Sequence, residues 1–356
     1  MRERTYLLLD DGSVFEGRPY GAAGEAAGLL AFDTSTTGYM ETLSDSGYFG
    51  QLVVQSFPLT GNYGAVTEEM DGPRIHAKGY IIKDGCQGPS NFRSEGALDT
   101  FLKSRSVVGL QGIDTRQLVK KIRGGSFYGM ITPEPGKNNL DRLKNFSPEE
   151  PFGHVSVSEA YEINSDGAKK QAGAKKAAIL DLGVKRSVLA ALAKNFGGIK
   201  VFPSGAGPDE IIKYSPDGII IAGGPDVLPG SNETEKLVKK INNLFEKNIP
   251  VLALGSGHQL VALANGIRLI NLSPGHRGSS HPVMDHKRGR IYTTAQNHGL
   301  TADISSIGKN IADIRFTHVN DGSCEGLVFK NKTALTAQFA AEAVFDSFME
   351  VINAAG

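Results

Sequence analysis

Apolar and polar positions follow one rhythm up to about residue 164 and another after it. In the first stretch, short β-rich runs at 6–9, 52–56 and 78–82 are each bounded by glycine, aspartate or proline clusters. Between them, residues 114–122 place Leu118, Val119 and Ile122 on one helical face, with Asp114 as N-cap and Gly124-Gly125 as stop. The first 150 residues therefore predict a mixed α/β domain. Residues 164–176 are small, polar and basic with no apolar period, and predict a solvated linker, set within 151–176, rather than an anion-binding patch. From 177 to 356 the pattern becomes strand–helix–strand. Short strands at 177–180, 199–202, 218–221 and 251–254, apolar but for Lys200, alternate with amphipathic helices at 185–195, 233–247 and 258–265. Short, largely apolar strands of this kind predict a mostly parallel sheet covered on both faces. In such sheets ligands sit at the carboxyl ends of the strands, so the loops after Ile221 and Leu254 are the first places to look for chemistry.

Composition narrows the classes. The 356 residues are 40% hydrophobic and 21% charged, enough for two ordinary cores. Lys plus Arg and Asp plus Glu both number 38, so net charge gives no case for nucleic acid or an anionic membrane. No apolar run approaches the roughly 18 residues of a membrane span. The four-residue apolar stretch near the N-terminus is too short for a signal h-region, which makes a cytoplasmic location the expectation. Two cysteines, Cys86 and Cys324, make no disulfide framework, and neither has the surroundings of a nucleophile.

Four loops carry polar or glycine-rich chemistry. Ala222-Gly223-Gly224-Pro225 follows an apolar strand and can bring backbone N–H groups against an oxyanion or carboxylate, though a plain strand-to-helix turn reads the same way. Leu254-Gly255-Ser256-Gly257-His258-Gln259 has the outline of a nucleophile elbow, a strained turn that thrusts one side chain above a sheet, and Ser256 is its only nucleophilic side chain. Gln296-Asn297-His298-Gly299-Leu300, placed in a loop after a strand at 290–294, suits polar recognition or a satisfied structural loop. In Gln338-Phe339-Ala340-Ala341-Glu342, Glu342 could orient a base but has no histidine beside it. His276, His281 and His286 recur every five residues, which does not place them on one helical face, and no metal site is expected from them.

Taken in order and spacing, these pieces resemble the small, glutamine-hydrolysing subunit of carbamoyl phosphate synthetase over nearly the whole chain. The N-terminal half carries Leu8-Leu9-Asp10-Asp11-Gly12, the stretch from Phe32 to Tyr39, Gly61-Asn62-Tyr63-Gly64, Ser90-Asn91-Phe92-Arg93 and Gly112-Ile113-Asp114-Thr115-Arg116. The C-terminal half carries Asp181-Leu182-Gly183-Val184, His281-Pro282-Val283 and Gln296-Asn297-His298-Gly299. The resemblance implies a flavodoxin-like class I glutamine amidotransferase domain after the N-terminal one. In that family an elbow cysteine attacks the glutamine amide, a histidine relays the proton and a glutamate orients the histidine. The ammonia passes to a large subunit, where ATP and magnesium are expected; none is expected on this chain. Glutamine recognition would fall on Ser35, Gly224, Ser256, Gln259, Asn297, Gly299 and Leu300, with the N–H groups of Gly224 and Ser256 as oxyanion hole.

The same frame departs from the family at its centre. The elbow position of the cysteine is Gly255, the histidine position is Ala340, and only Glu342 survives. Asp226 stands where the family's loop has a second glycine. Triad members act as a unit, and losing them costs about six decades in turnover where this has been measured, or about 8 kcal/mol. The expectation is a chain that docks on a large subunit while free ammonia serves as nitrogen donor. Two other readings follow from the same residues: a stand-alone module that binds or senses glutamine, and an active glutaminase using a displaced nucleophile such as Ser256, which would need a histidine about 3 Å from its Oγ.

Overall fold

The structure is a computed structural model that describes residues 4–164 and 175–355. It divides into two compact units, Met1–Glu149 and Glu150–Gly356.

In the first unit seven strands close into a barrel. Around it run Thr5–Leu9, Val14–Gly21, Val108–Gln111, Gly79–Ile82, Gln51–Gln55, Ala26–Asp33 and Tyr128–Thr132. Gln51–Gln55 and Gly79–Ile82 are buried along their whole length, in keeping with the apolar Leu52-Val53-Val54 and Tyr80-Ile81-Ile82 within them. Leu7, Leu52, Ile81 and Ile131 fill one core cluster, and helix Thr115–Ile122 seals it with Leu118, Val119 and Ile122. Asp114 caps that helix, accepting from Gln117 N at 2.9 Å. Tyr80, Leu43, Leu98 and Leu102 belong to a second cluster. Ser35 follows strand Ala26–Asp33 in a pinned turn. Its N–H donates to Asp33 Oδ1 at 2.7 Å and its carbonyl accepts from Gln55 Nε2 at 2.6 Å. Thr42 Oγ1 donates to the other Asp33 oxygen at 2.7 Å.

The second unit is a ten-stranded sheet. Its parallel core runs Gly198–Phe202, Lys176–Asp181, Gly218–Gly223, Val251–Gly255 and Ala334–Ala337. Numbered among themselves these strands lie in the order 2-1-3-4-5, the flavodoxin-like arrangement. Ile179, Ile220, Leu252 and Leu335 are buried in its core, each contributing about 1.5–3 kcal/mol. Helices Arg186–Ala193, Asn232–Phe245, Ser256–Ala264 and Glu342–Ala355 are among those of this unit, Asn232–Phe245 beginning at a Ser231 cap that accepts from Thr234 N at 3.2 Å. Beyond Ala334–Ala337 the sheet continues antiparallel through Cys324–Phe329, Arg290–Ala302, Leu269–Asp285 and Ala312–His318.

Three expectations change. The parallel strands form only the core of the sheet, because the long hairpin Leu269–Asp285/Arg290–Ala302 adds an antiparallel half that apolar runs did not announce. Residues 295–300 are not a loop after a strand; they continue strand Arg290–Ala302, which pairs with Leu269–Asp285 through two register shifts. The expected linker at 151–176 is in part structure of the second unit. Phe152–Val155 is a helix with Phe152 fully buried, and Tyr161–Asn164 pairs antiparallel with Gly198–Phe202. Glu233 holds the N–H groups of Phe152 and Gly153 at 3.0 and 2.8 Å, and Asp181 holds that of Val157 at 2.7 Å. Residues 165–174 lie outside the described residues, whereas Lys176 already begins strand Lys176–Asp181.

Candidate functional site

Parallel register brings three chain segments to one end of the sheet. Gly223 pairs with Gly255, and Leu254 with Ala337, so the loops after all three strands emerge side by side. At the middle one, Gly255 has φ 59 and ψ −123, a conformation that side-chain-bearing residues adopt only under strain. This is the elbow the sequence outlined, and its point is a glycine. A Cβ there would meet only Gly223, at 3.4 Å, so the position has room for a side chain. The point of the turn carries no side chain.

Ser256 begins the helix after the elbow and is 2% exposed. Its hydroxyl donates to the carbonyl of Gly223. Gly224 packs against it: a Cβ on Gly224 would stand 2.9 Å from Ser256 Oγ. The two residues expected to share an oxyanion hole are thus neighbours. His258 turns away and pairs its Nδ1 with Thr336 Oγ1 at 2.8 Å. Burial pushes its imidazole down to about 4, so it is neutral at physiological pH.

One turn further along the same helix, Gln259 reaches Asp226. Gln259 Nε2 donates to Asp226 Oδ1 at 2.6 Å, while Gln259 Oε1 accepts from Val227 N at 3.0 Å. The other Asp226 oxygen accepts from Gly299 N at 2.5 Å, and Leu300 N also donates to this carboxylate. Burial raises the acid's pKa; the charge of Arg277 and these donors pull the other way. Asn297 lies on the same strand as Gly299, paired with Arg277. Of the expected recognition residues, Gly224 and Ser256 meet at the elbow, and Gln259, Gly299 and Leu300 meet on Asp226. Ser35 belongs to the first unit.

The third segment carries Ala340 and Glu342. Both are exposed, Ala340 three residues beyond strand Ala334–Ala337 and Glu342 at the start of the terminal helix. Position 340 is alanine, and residues 338–342 include no histidine.

A separate polar cluster lies on the antiparallel half. His276 bridges two carboxylates, Glu325 Oε1 at 2.9 Å and Asp321 Oδ2 at 2.7 Å. Burial lowers its pKa, but the two acids outweigh that and raise it. His318 stacks on its ring at 4.0 Å, and His281 Nδ1 meets His318 Nε2 at 3.3 Å. The potential ligand atoms of His276, His281 and His318 lie within 4.8 Å of one another, as do those of His276, His298 and Glu325, so either set could hold a metal ion. His276 is hydrogen-bonded within these sets, to Glu325 and Asp321, whereas His298 bonds Gln296 and the Leu300 carbonyl and stands 3.7 Å from Glu325 Oε2. His286, the third of the evenly spaced histidines, stands apart, exposed and paired with Thr317 at 2.9 Å. His318 and Glu325 were invisible to local spacing, since strand pairing alone brings them to His276. Cys324 is buried, and its thiol is pushed up to about 12 by burial, the state of an inert thiol.

Comparison with known proteins covers both units. The carbamoyl-phosphate synthase small chain, CPSase domain, matches residues 7–131, and the class-I glutamine amidotransferase family matches residues 178–350. A carbamoyl phosphate synthase small chain of Clostridium perfringens is 36% identical over 365 residues, covering 98% of this chain and 99% of that one. One from Methanopyrus kandleri is 35% identical, covering 97% and 98%. A carbamoyl phosphate synthase pyrimidine-specific small chain of Halalkalibacterium halodurans is 36% identical, covering 98% and 97%.

Proposed function

The chain belongs to the carbamoyl phosphate synthase small chain family, and from that premise we propose that it serves a synthetase as a small subunit whose own glutamine hydrolysis is lost. Its partner is a large subunit that takes free ammonia as nitrogen donor, with nucleotide and magnesium chemistry residing on that partner. The observation that carries this reading is the elbow: a turn shaped to present a nucleophile holds Gly255 at its point. Position 340, where the base would stand, is alanine.

Further geometry supports the reading over a displaced nucleophile. Ser256 would need a histidine on its Oγ to become a competent nucleophile. Its hydroxyl instead donates to a backbone carbonyl, and His258 is engaged with Thr336. Gly224 and Ser256 would still offer two N–H groups to an oxyanion. Such donors with binding alone leave about three to four decades over water, too little to supply a biosynthetic step.

Nitrogen-donor choice tests this. The chain is reconstituted with a large synthetase subunit, and carbamoyl phosphate formation is followed with ammonium or glutamine as donor. Ammonium is expected to support synthesis and glutamine to fail. Synthesis from glutamine at a rate comparable to that from ammonium would refute the proposal, and failure of the two chains to associate would favour a stand-alone glutamine-binding module instead.

A further inference from the structure

Asp226, in the loop after strand Gly218–Gly223, is a charged group that the expected chemistry does not use. Its surroundings have the chemistry of a carboxylate receptor: consecutive main-chain N–H groups of Gly299 and Leu300, the side-chain amide of Gln259, and the positive charge of Arg277. Gln259 is held in place from behind, its carbonyl oxygen accepting from Val227 N at 3.0 Å. The receptor lies one helical turn from the elbow, on the helix that begins at Ser256. Its ligand comes from the chain itself, three residues after Gly223.

We propose that Asp226 is an internal ligand, its carboxylate filling the donor cradle of Gln259, Gly299 and Leu300 and thereby excluding from the site an amino acid recognised through its own α-carboxylate, glutamine above all. The inference rests on the reading above, that this strand end is the former glutamine site. An incoming carboxylate would have to displace Asp226 from its donors and would then face a second negative charge in the same partly buried pocket. The chain would then have lost substrate binding as well as the groups that act on the substrate, and it would not serve as a glutamine sensor.

Equilibrium dialysis with radiolabelled L-glutamine on the full chain tests this, beside D226G, D226A and the shape-preserving D226N, each checked for folding by its thermal transition. The control probe is 4-aminobutanamide, which is glutamine without its carboxylate. The native chain is expected to show no saturable binding at millimolar glutamine. If the competing carboxylate leaves about 1% of molecules open, D226G and D226A should bind glutamine about 100-fold more tightly. D226N should gain about tenfold, because a neutral acceptor holds the donors more weakly. The control probe should gain nothing. Saturable millimolar binding by the native chain would overturn the proposal. So would folded variants that bind no better than native, or an equal gain for 4-aminobutanamide. Glutamine bound by the native chain without ammonia release would overturn this inference and leave the loss of hydrolysis standing; ammonia release by the native chain would strike the loss of hydrolysis itself.

Discussion

Restoring any side chain at Gly255 should cost stability, and the structure sets the amount. With φ 59 and ψ −123 the residue sits where a Cβ strains the backbone, a penalty of about 1–3 kcal/mol. Steric room adds nothing to this, since the Cβ would meet Gly223 only at ordinary contact distance, 3.4 Å. Gly255→Ala and Gly255→Cys should therefore cost the same, about 2 kcal/mol, because they share the Cβ that feels the strain. For a unit of this size, Glu150–Gly356, that is a fall of about 4–8 °C in the melting transition. Gly257→Ala is the contrasting variant. Its Cβ would collide with the carbonyl oxygen of Ile221, backbone against backbone, and it should cost more than either. Differential scanning calorimetry of the full chain reads all three. An unchanged transition in Gly255→Ala would refute the strained elbow, and with it the claim that this turn is built to present a side chain.

Two further outcomes follow from the geometry. Ser256→Ala removes a hydroxyl bonded to the Gly223 carbonyl and should lower stability by about 1 kcal/mol, measured by denaturant midpoint, with no effect on nitrogen-donor choice in the reconstituted synthetase; loss of a glutamine-dependent rate in that variant would identify Ser256 as a working nucleophile. Stability should also fall as pH drops from 6.5 toward 4. Burial holds His76, His258 and His318 down to about 4, so over that window the unfolded chain binds protons the folded one refuses. Each contributes a slope of up to about 1.4 kcal/mol per pH unit. His276 works oppositely, since its pKa is raised: its contribution is full below 6.5 and is lost as pH climbs through its folded value. Urea midpoints across pH 4–8 read this, and a flat profile between 6.5 and 4 would contradict the burial argument.

Much of this is legible in the sequence. The central parallel strands stood out because a strand buried on both faces has no polar alternation to blur it, as at Gly218–Gly223 and Val251–Gly255. The elbow was legible from Gly255-Ser256-Gly257 following such a strand. Long-range pairing was not. Strand Arg290–Ala302 looked like a loop from 295 because Gln296, Asn297 and His298 are polar, and they are tolerated within a strand because the fold supplies partners: Gln296 and His298 hydrogen-bond each other at 2.8 Å. Barrel closure in the first unit joins Thr5–Leu9 to Tyr128–Thr132 across more than a hundred residues, which no local pattern encodes. Asp226 was visible as an aspartate in place of a glycine, but its meaning depends on Gly299 and Gln259, which only the folded chain brings to it.

The most direct test of the central claim is ammonia released from glutamine by the native chain, alone and bound to a large synthetase subunit. A variant combining Gly255→Cys, Ala340→His and Asp226→Gly runs beside it as the repaired control. The account predicts no ammonia above the buffer blank from the native chain in either state, and measurable turnover from the repaired one. Release by the native chain at about 1 s⁻¹ or faster, the range of ordinary enzymes, would mean that a nucleophile works at this site despite Gly255, and the account would be wrong.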